Sequence, residues 1–189
     1  MNAVMTGTSQ ALKPTQWQLD PAHSAAHFSV RHLMISNIRG EFSKVTGNVV
    51  VDLSDPTKSS VEVSADASSI NTREPQRDAH LKSPDFLDVA KFPTIDFKST
   101  RNVKTGPETY ELTGQLTLHG VTREITLAVE SDGVETKDPW GKLRRGASAR
   151  GKLSRKDFGL TWNQALEAGG VLVGDEVKIE IDVELVQRA

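Results

Sequence analysis

Alternation of apolar and polar residues dominates the chain from about Thr15 onward, and this period of two is typical of β-strands. It is clearest near the C-terminal end, where one set of alternate positions holds Val177, Ile179, Ile181, Val183 and Leu185. The positions between them hold Lys178, Glu180, Asp182 and Glu184. A strand of this kind covers an apolar core with one face and meets water with the other.

Two further alternating runs predict a β-hairpin. The first extends from Tyr110 to Leu118 and the second from Val121 to Glu130. His119 and Gly120 lie between them, and a tight glycine-containing connection between two such runs is a hairpin signal.

Additional strands are predicted near residues 25–34, 38–52, 61–68, 94–100 and 142–154. In the first of these, one face carries Ala26, Phe28, Val30, His32 and Met34. In the second, the apolar positions change parity between Phe42 and Val45, which indicates a bulge or bend. Because most strands have one apolar face, we predict an all-β fold, either an antiparallel barrel or a sandwich.

The segment 74–89 interrupts the strand pattern and predicts one or two short helices. Asn71 and Thr72 are candidate helix caps, and Pro75 suits a first helical turn. Ser83, which precedes a proline, is a candidate cap for a second short turn. An excursion of this kind between two strands can cover an open end of a barrel.

Composition and charge argue against several classes of function. The chain of 189 residues has 23 Lys and Arg against 25 Asp and Glu, a net charge of −2. This balance argues against nucleic-acid binding, which normally needs a basic surplus. No apolar run approaches the length of a membrane span, so we expect a soluble protein with no stable membrane insertion. The absence of cysteine excludes disulfides, thiol catalysis and zinc–thiolate sites.

The N-terminal segment differs from the rest. Residues 1–14 have neither a basic n-region nor an apolar h-region, so they do not read as a signal peptide. We predict a disordered tail at 1–14 and a single domain at 15–189. If Met1 is the natural start, the expected location is cytoplasmic.

Two groups of residues are candidates for a metal site or for catalysis. His23, His27 and His32 lie close in sequence, but the odd spacing of the last two places them on opposite faces of a strand. We therefore predict no metal site. Asp78 and His80 resemble an acid–base pair, yet no nucleophile motif accompanies them. We interpret Arg77 and Asp78 as ties between the helix and the barrel, and we predict no catalytic residue.

Eight segments together resemble the YceI-like, polyisoprenoid-binding proteins. They lie at residues 19–24, 28–32, 40–42, 69–86, 91–99, 114–122, 154–160 and 173–177. The most specific is Arg77-Asp78-Ala79-His80-Leu81-Lys82-Ser83-Pro84-Asp85-Phe86. The resemblance runs in order from about Trp17 to Leu185. It implies an eight-stranded antiparallel, lipocalin-like β-barrel whose lumen takes the tail of an isoprenoid such as a quinone or polyprenyl compound. It also implies a homodimer. Many relatives are periplasmic, and this chain departs from them in lacking a signal peptide.

The resemblance leads to a set of expected ligand-binding residues. The apolar wall is expected to contain Phe28, Val30, Met34, Phe42, Leu81, Phe86, Phe97, Leu112 and Leu116. His32 and Arg77 are expected near a polar head. Small inward candidates favour a cavity over a filled barrel, namely Val61, Val63, Ala65, Ala67 and Gly114.

The leading hypothesis is therefore non-enzymatic binding, storage or transport of an isoprenoid lipid, with no other cofactor. Two alternatives stay open at this point. One is an enzyme that acts on a small amphiphile with His80 and Asp78 as acid and base. The other is a filled barrel that serves as a stress-associated interaction module.

Overall fold

The computed structural model describes residues 13–131, 133–167 and 169–188. The predicted tail at 1–14 therefore lies, up to residue 12, outside the described residues. The strands are β1 Thr15–Leu19, β2 Ala25–His32, β3 Ser36–Phe42, β4 Val45–Val51, β5 Ser60–Asp66, β6 Ile70–Asn71, β7 Thr94–Lys104, β8 Thr109–Leu118, β9 Val121–Glu130, β10 Thr136–Lys137, β11 Leu143–Ser154 and β12 Val173–Gln187. The α-helix is α1 Pro75–Lys82.

The strands form one antiparallel sheet that closes on itself. β12 pairs with β11 along one edge and with β1 and β2, one after the other, along its other edge. Three positions in the barrel are each occupied by two consecutive strands, β1–β2, β3–β4 and β5–β6. The other five are β7, β8, β9, β11 and β12, and neighbours in the barrel follow one another along the chain. The predicted eight-stranded antiparallel barrel is confirmed.

Local details agree with the sequence pattern at most points. The hairpin of β8 and β9 turns at His119 and Gly120, both with positive φ. The predicted bend is also present, since β3 ends at Phe42 and β4 begins at Val45. Both features follow from the alternation, because each face of a strand meets only one environment.

The prediction for Met34 is wrong in its placement. β2 ends at His32, and the chain reverses direction through Leu33 and Met34, whose φ angles are 51° and 61°. Met34 is 50% exposed and does not share the inner face of β2. Because residues 33–35 are apolar, the sequence pattern predicts that the strand continues to residue 34, whereas the chain turns there.

The barrel has two different ends. At the end that we call the helix end lie the connection of β5 to β7 (residues 67–93) and that of β11 to β12. At the opposite end, which we call the loop end, lie the connections of β4 to β5, β7 to β8 and β9 to β11.

The helix α1 at the helix end begins differently from the prediction. Its N-cap is Glu74, whose carboxylate accepts a hydrogen bond from the Gln76 amide, and not Asn71 or Thr72. Pro75 occupies the first turn as predicted. No residue of the helix is buried, so it depends on side-chain bonds at its start and on the residues that follow it. Within the described residues, no helix is long and apolar enough to cross a membrane.

Two groups of buried residues hold the barrel together. The first is centred on Trp17, which is fully buried, and includes Leu19, Val45, Val49, Ala65 and Leu185. The second includes Ile70, Leu87, Leu116, Leu118, Phe158 and Leu160. The second group joins β8 to the connections at the helix end, and so closes that end with apolar contacts.

Candidate ligand-binding cavity

The barrel encloses a cavity of about 540 Å³. This volume lies within the range of pockets for small molecules. Its wall is mainly aliphatic and aromatic, and much of it comes from the inner positions of β12, namely Val177, Ile179, Ile181, Val183 and Leu185. These are the apolar positions of the clearest alternating run in the sequence.

The structure brings most of the predicted site residues to this cavity. Eight of the eleven line it: Phe28, Val30, Phe42, Leu81, Phe86, Phe97, Leu112 and Leu116. They come from four strands, β2, β3, β7 and β8, and from the segment that covers the helix end. That these side chains contact a ligand stays a prediction.

The other three predicted residues do not line the cavity. His32 is the last residue of β2, beside the turn, and Met34 lies in that turn. Arg77 Nε donates to Thr72 Oγ1 and Arg77 Nη2 to the Thr72 carbonyl, each at 2.8 Å. The guanidinium thus holds α1 to the residue after β6. The structure gives no support to a polar head site built from His32 and Arg77.

Polar lining residues are concentrated at the loop end, which sequence reasoning missed. Whereas His27, Ser148 and Arg155 line the cavity elsewhere, those at the loop end are Asp52, Ser59, Asn102, Tyr110, Ser131 and Arg145. No motif marks these residues, because they come from strand ends and connections that are far apart along the chain. Only closure of the barrel brings them to one place.

The small inward residues make room only in part. Val61, Val63 and Ala65 line the cavity, whereas Ala67 and Gly114 do not. A Cβ atom on Gly114 would come within 2.5 Å of the Phe97 ring. The space that Gly114 leaves is therefore filled by a neighbouring ring, and the volume of the cavity comes from the other small wall residues.

The acid–base pair of the enzyme alternative is not formed. Asp78 Oδ1 accepts hydrogen bonds from the amide and hydroxyl of Thr72. His80 Nε2 lies 2.8 Å from Asp85 Oδ2, and its ring packs edge-on against Phe86. Neither Asp78 nor His80 lines the cavity. The interpretation of Arg77 and Asp78 as ties for the helix agrees with these contacts.

Among the residues described, the one group of three potential metal ligands comprises Asp20, His23 and Glu184. His23 Nδ1 lies 3.0 Å from Asp20 Oδ2. Arg144 Nη1 donates to Asp20 Oδ2 at 2.6 Å and to Glu184. Because a guanidinium already lies between the two carboxylates, the group is a partly buried ion-pair network.

This network perturbs its carboxyl groups. The hydrogen bond from Arg144, assisted by the Ala22 amide and by His23, lowers the pKa of Asp20 to about 2. Arg144 Nε donates to Asp138 at 2.8 Å and lowers the pKa of that carboxyl as well. The network joins Asp20, which follows β1, to β11 and β12, the strands that pair where the barrel closes.

The low pKa of Asp20 predicts a pH-dependent stability. Asp20→Asn is expected to lower the free energy of unfolding at pH 7 by about 1 kcal/mol, after allowance for solvent screening. Because the pKa of Asp20 in the folded protein is below the ordinary 3.8, its ionised carboxylate stabilises the fold above that pH. This stabilisation is lost as the pH falls towards 2. The difference between wild type and variant should therefore persist from pH 7 to 5 and shrink between pH 4 and 2. Urea unfolding at each pH measures it.

The control for this prediction is Glu176→Gln, which removes an exposed ion pair with Lys152. An exposed pair contributes little, so the loss should stay below about 0.5 kcal/mol. A deficit in Asp20→Asn that is equal at pH 3 and pH 7 would contradict the assignment.

Arg155 organises the connection of β11 to β12 at the helix end. It is 3% exposed, and its guanidinium donates to the carbonyl oxygens of Gly174 (2.9 Å), Leu160 (2.6 Å) and Trp162 (2.8 Å). Burial lowers the pKa of Arg155, and Asp175, 3.4 Å away, opposes this effect. The side chain thus joins the segment after β11 to the start of β12 next to the cavity.

This chain is thus a closed eight-stranded antiparallel barrel around an apolar cavity, an architecture that can hold one small ligand. The family model of the YceI-like domain matches residues 17–185. The chain belongs to the YceI-like family.

Relatives and solved structures agree with this assignment. A UPF0312 protein of Staphylococcus aureus is 36% identical over 170 residues, which are 90% of this chain and 96% of that protein. The Campylobacter jejuni YCEI protein is 30% identical, with a TM-score of 0.71 over 84% of this chain and 90% of its own. Burkholderia cenocepacia BcnA has a TM-score of 0.77 at 19% identity, over 88% and 98% of the two chains, and shares the fold.

Proposed function

We propose that this protein binds an isoprenoid lipid, of quinone or polyprenyl type, with the tail of the lipid inside the barrel. The observation that carries the proposal is the apolar cavity of about 540 Å³. Binding is non-enzymatic in this proposal, since Asp78 and His80 are engaged elsewhere and lie outside the cavity wall.

The energetics of transfer favour a carrier or a store. Burial of each CH₂ group away from water contributes roughly 0.8 kcal/mol, so a long tail has a large driving force to leave water. A membrane offers the tail almost the same gain. The net preference for the protein is then small, and the lipid exchanges instead of staying permanently bound.

A solved structure with the same fold adds support for the proposal. It is described as a polyisoprenoid binding domain from Saccharophagus degradans, with a TM-score of 0.64 over 91% of this chain and 98% of its own. At 14% identity this domain shares its fold with the chain, and its description indicates that the fold can serve as a scaffold for such ligands. The apolar wall of this chain supplies the argument for the ligand.

Organic extraction of the purified, folded protein followed by mass spectrometry tests the proposal. We expect one dominant isoprenoid in near-stoichiometric amount, or uptake of added polyprenol by extracted and refolded protein. An empty extract together with no uptake of polyprenol or quinone would overturn it. That outcome would favour the interaction-module alternative, although the cavity disfavours a filled barrel.

Two further expectations belong to the proposal. A homodimer is predicted from the family resemblance, and light scattering of the purified protein measures it. The cytoplasmic location is predicted from the N-terminal sequence, and fractionation of cells that produce the full chain tests it.

A further inference from the structure

Asn102 is a polar residue in the apolar wall at the loop end. Along β7 the inner positions are Ile95, Phe97 and Ser99, and the register shifts between Ser99 and Arg101. This irregularity changes the parity, so that Asn102 pairs with Leu112 and both residues line the cavity. The amide therefore stands where strict alternation would have placed an outward residue.

The orientation of this amide is fixed by one hydrogen bond. Asn102 Nδ2 donates to the Pro56 carbonyl at 2.9 Å. The reverse orientation would place two oxygen atoms against each other, so Oδ1 is the atom left over. Asn102 Oδ1 is buried and has no hydrogen-bond partner within the described part of the chain. A buried acceptor without a donor is costly and uncommon in proteins.

Neighbouring polar groups at the loop end are engaged with one another. Ser59 Oγ accepts from the Asp52 amide, and Asp52 Oδ1 accepts from the amides of Ser54 and Asp55. These bonds hold the connection of β4 to β5 beside Asn102. They supply no donor to Asn102 Oδ1.

The charges at this end do not favour an anionic ligand. Arg145 Nε and Nη2 donate to Glu135 Oε1 at 3.0 and 2.7 Å, and the guanidinium lies 5.2 Å from the centre of the Trp17 ring. Its charge is therefore balanced, and an acidic residue, Asp52, also lines this end. A phosphate or carboxylate head would meet no uncompensated positive charge from the lining residues described.

We propose that the loop end holds the head of the bound lipid and that a small shift of the Asn102 side chain lets its buried Oδ1 accept a hydrogen bond from that head. This inference rests on the proposed function and deepens it. The site selects an uncharged head that carries an O–H or N–H donor. Among quinone-type lipids, the hydroquinone has such donors and the oxidised quinone ring does not.

A matched pair of ligands tests the inference in the full-length protein. Farnesol and farnesyl methyl ether share one tail, and only farnesol has a hydroxyl donor. We expect wild type to bind farnesol about 2–10-fold more tightly, as one net hydrogen bond predicts. In Asn102→Leu this ratio should fall to about 1, while the ether still binds. Loss of the bond to Pro56 affects both ligands, so the ratio isolates the acceptor.

Arg101→Leu is the matched control, because it places the same side chain at the preceding, exposed position of β7. The farnesol-to-ether ratio should stay at the wild-type value in this variant. Circular dichroism confirms that each variant is folded, and Asn102→Ser provides a smaller polar replacement if Asn102→Leu does not fold.

The possible outcomes separate the two proposals. A wild-type ratio near 1, or an unchanged ratio in a folded Asn102 variant, would overturn the head assignment while lipid binding stands. Tighter binding of farnesyl phosphate than of farnesol would overturn the preference for an uncharged head. A wild-type protein that binds none of the three ligands would contradict the proposed function itself.

Discussion

Ala149→Trp is expected to abolish uptake of an isoprenoid by the barrel. Ala149 lies in β11 and lines the cavity, and its cross-strand partners Val129 and Ile181 line it as well. An indole at this position occupies the space that the tail needs, so affinity for farnesol should fall at least about tenfold. Titration of the folded variant with farnesol, followed by calorimetry, measures the loss.

The neighbouring residue provides the control for the filled cavity. Arg150 is exposed and points to the other face of β11, so Arg150→Trp adds the same side chain outside the barrel. Its affinity should stay within about twofold of wild type, a change far below the 1.4 kcal/mol of a tenfold effect. If folded Ala149→Trp bound farnesol as tightly as wild type, the cavity would not be the lipid site.

Arg155→Leu should destabilise the fold more than any other change considered. The substitution removes the donors of three buried or partly buried carbonyl oxygens and leaves Asp175 without its buried partner. Loss of one member of a buried charged network typically costs about 3–5 kcal/mol. Urea unfolding at pH 7 should show this decrease in the free energy of unfolding.

Lys156 offers a close comparison. Its ammonium lies 2.7 Å from the same Asp175, but the side chain is 52% exposed. Lys156→Leu should therefore change the free energy of unfolding by less than about 1 kcal/mol. Equal losses in the two variants would show that the ion pair with Asp175, and not the buried carbonyl bonds, carries the effect.

The two ends of the barrel have different parts in the proposed function. At the helix end, Phe86 and Leu87 are buried and line the cavity. Arg155 also lines it there, and its guanidinium is bonded to backbone carbonyl oxygens. Apolar side chains together with a guanidinium that is already hydrogen-bonded suit the end of a tail. At the loop end, Asn102 and Arg145 bring polar groups to the wall. A lipid whose head lies at the loop end therefore matches the polarity of the cavity along its length.

Sequence reasoning found much of the wall but not its polar end. Phe28, Phe97 and Leu116 follow from the family resemblance together with their place in predicted strands, because alternation maps directly onto the two faces of a strand. The prediction for β7 stopped at Thr100, whereas the strand continues to Lys104. The irregularity after Ser99 disturbs the alternation there, and for that reason the sequence pattern does not indicate that Asn102 faces inward.

The prediction that His32 and Arg77 lie near a polar head has a related origin. His32 and Arg77 are polar residues beside apolar runs, and their position along the chain made them candidates. Arg77 instead bonds to Thr72, five residues away, and His32 lies where β2 ends. A sequence does not reveal which local polar partner a side chain takes, because several compete at similar energies.

The sequence by itself determined most of the strands and the inner faces of those that alternate regularly, because burial of one face imposes a period of two wherever the chain is extended. Its matching segments determined the family. It also indicated antiparallel pairing, through the one-sided strands and the tight connection between β8 and β9. The pattern alone left a barrel or a sandwich open, and the family resemblance pointed to the barrel. The tertiary structure alone decided how much of the interior stays open and which polar groups meet at the loop end. Those properties depend on packing such as that of Phe97 against Gly114, and on register shifts such as that before Asn102. Both arise only when strands distant in sequence are brought together.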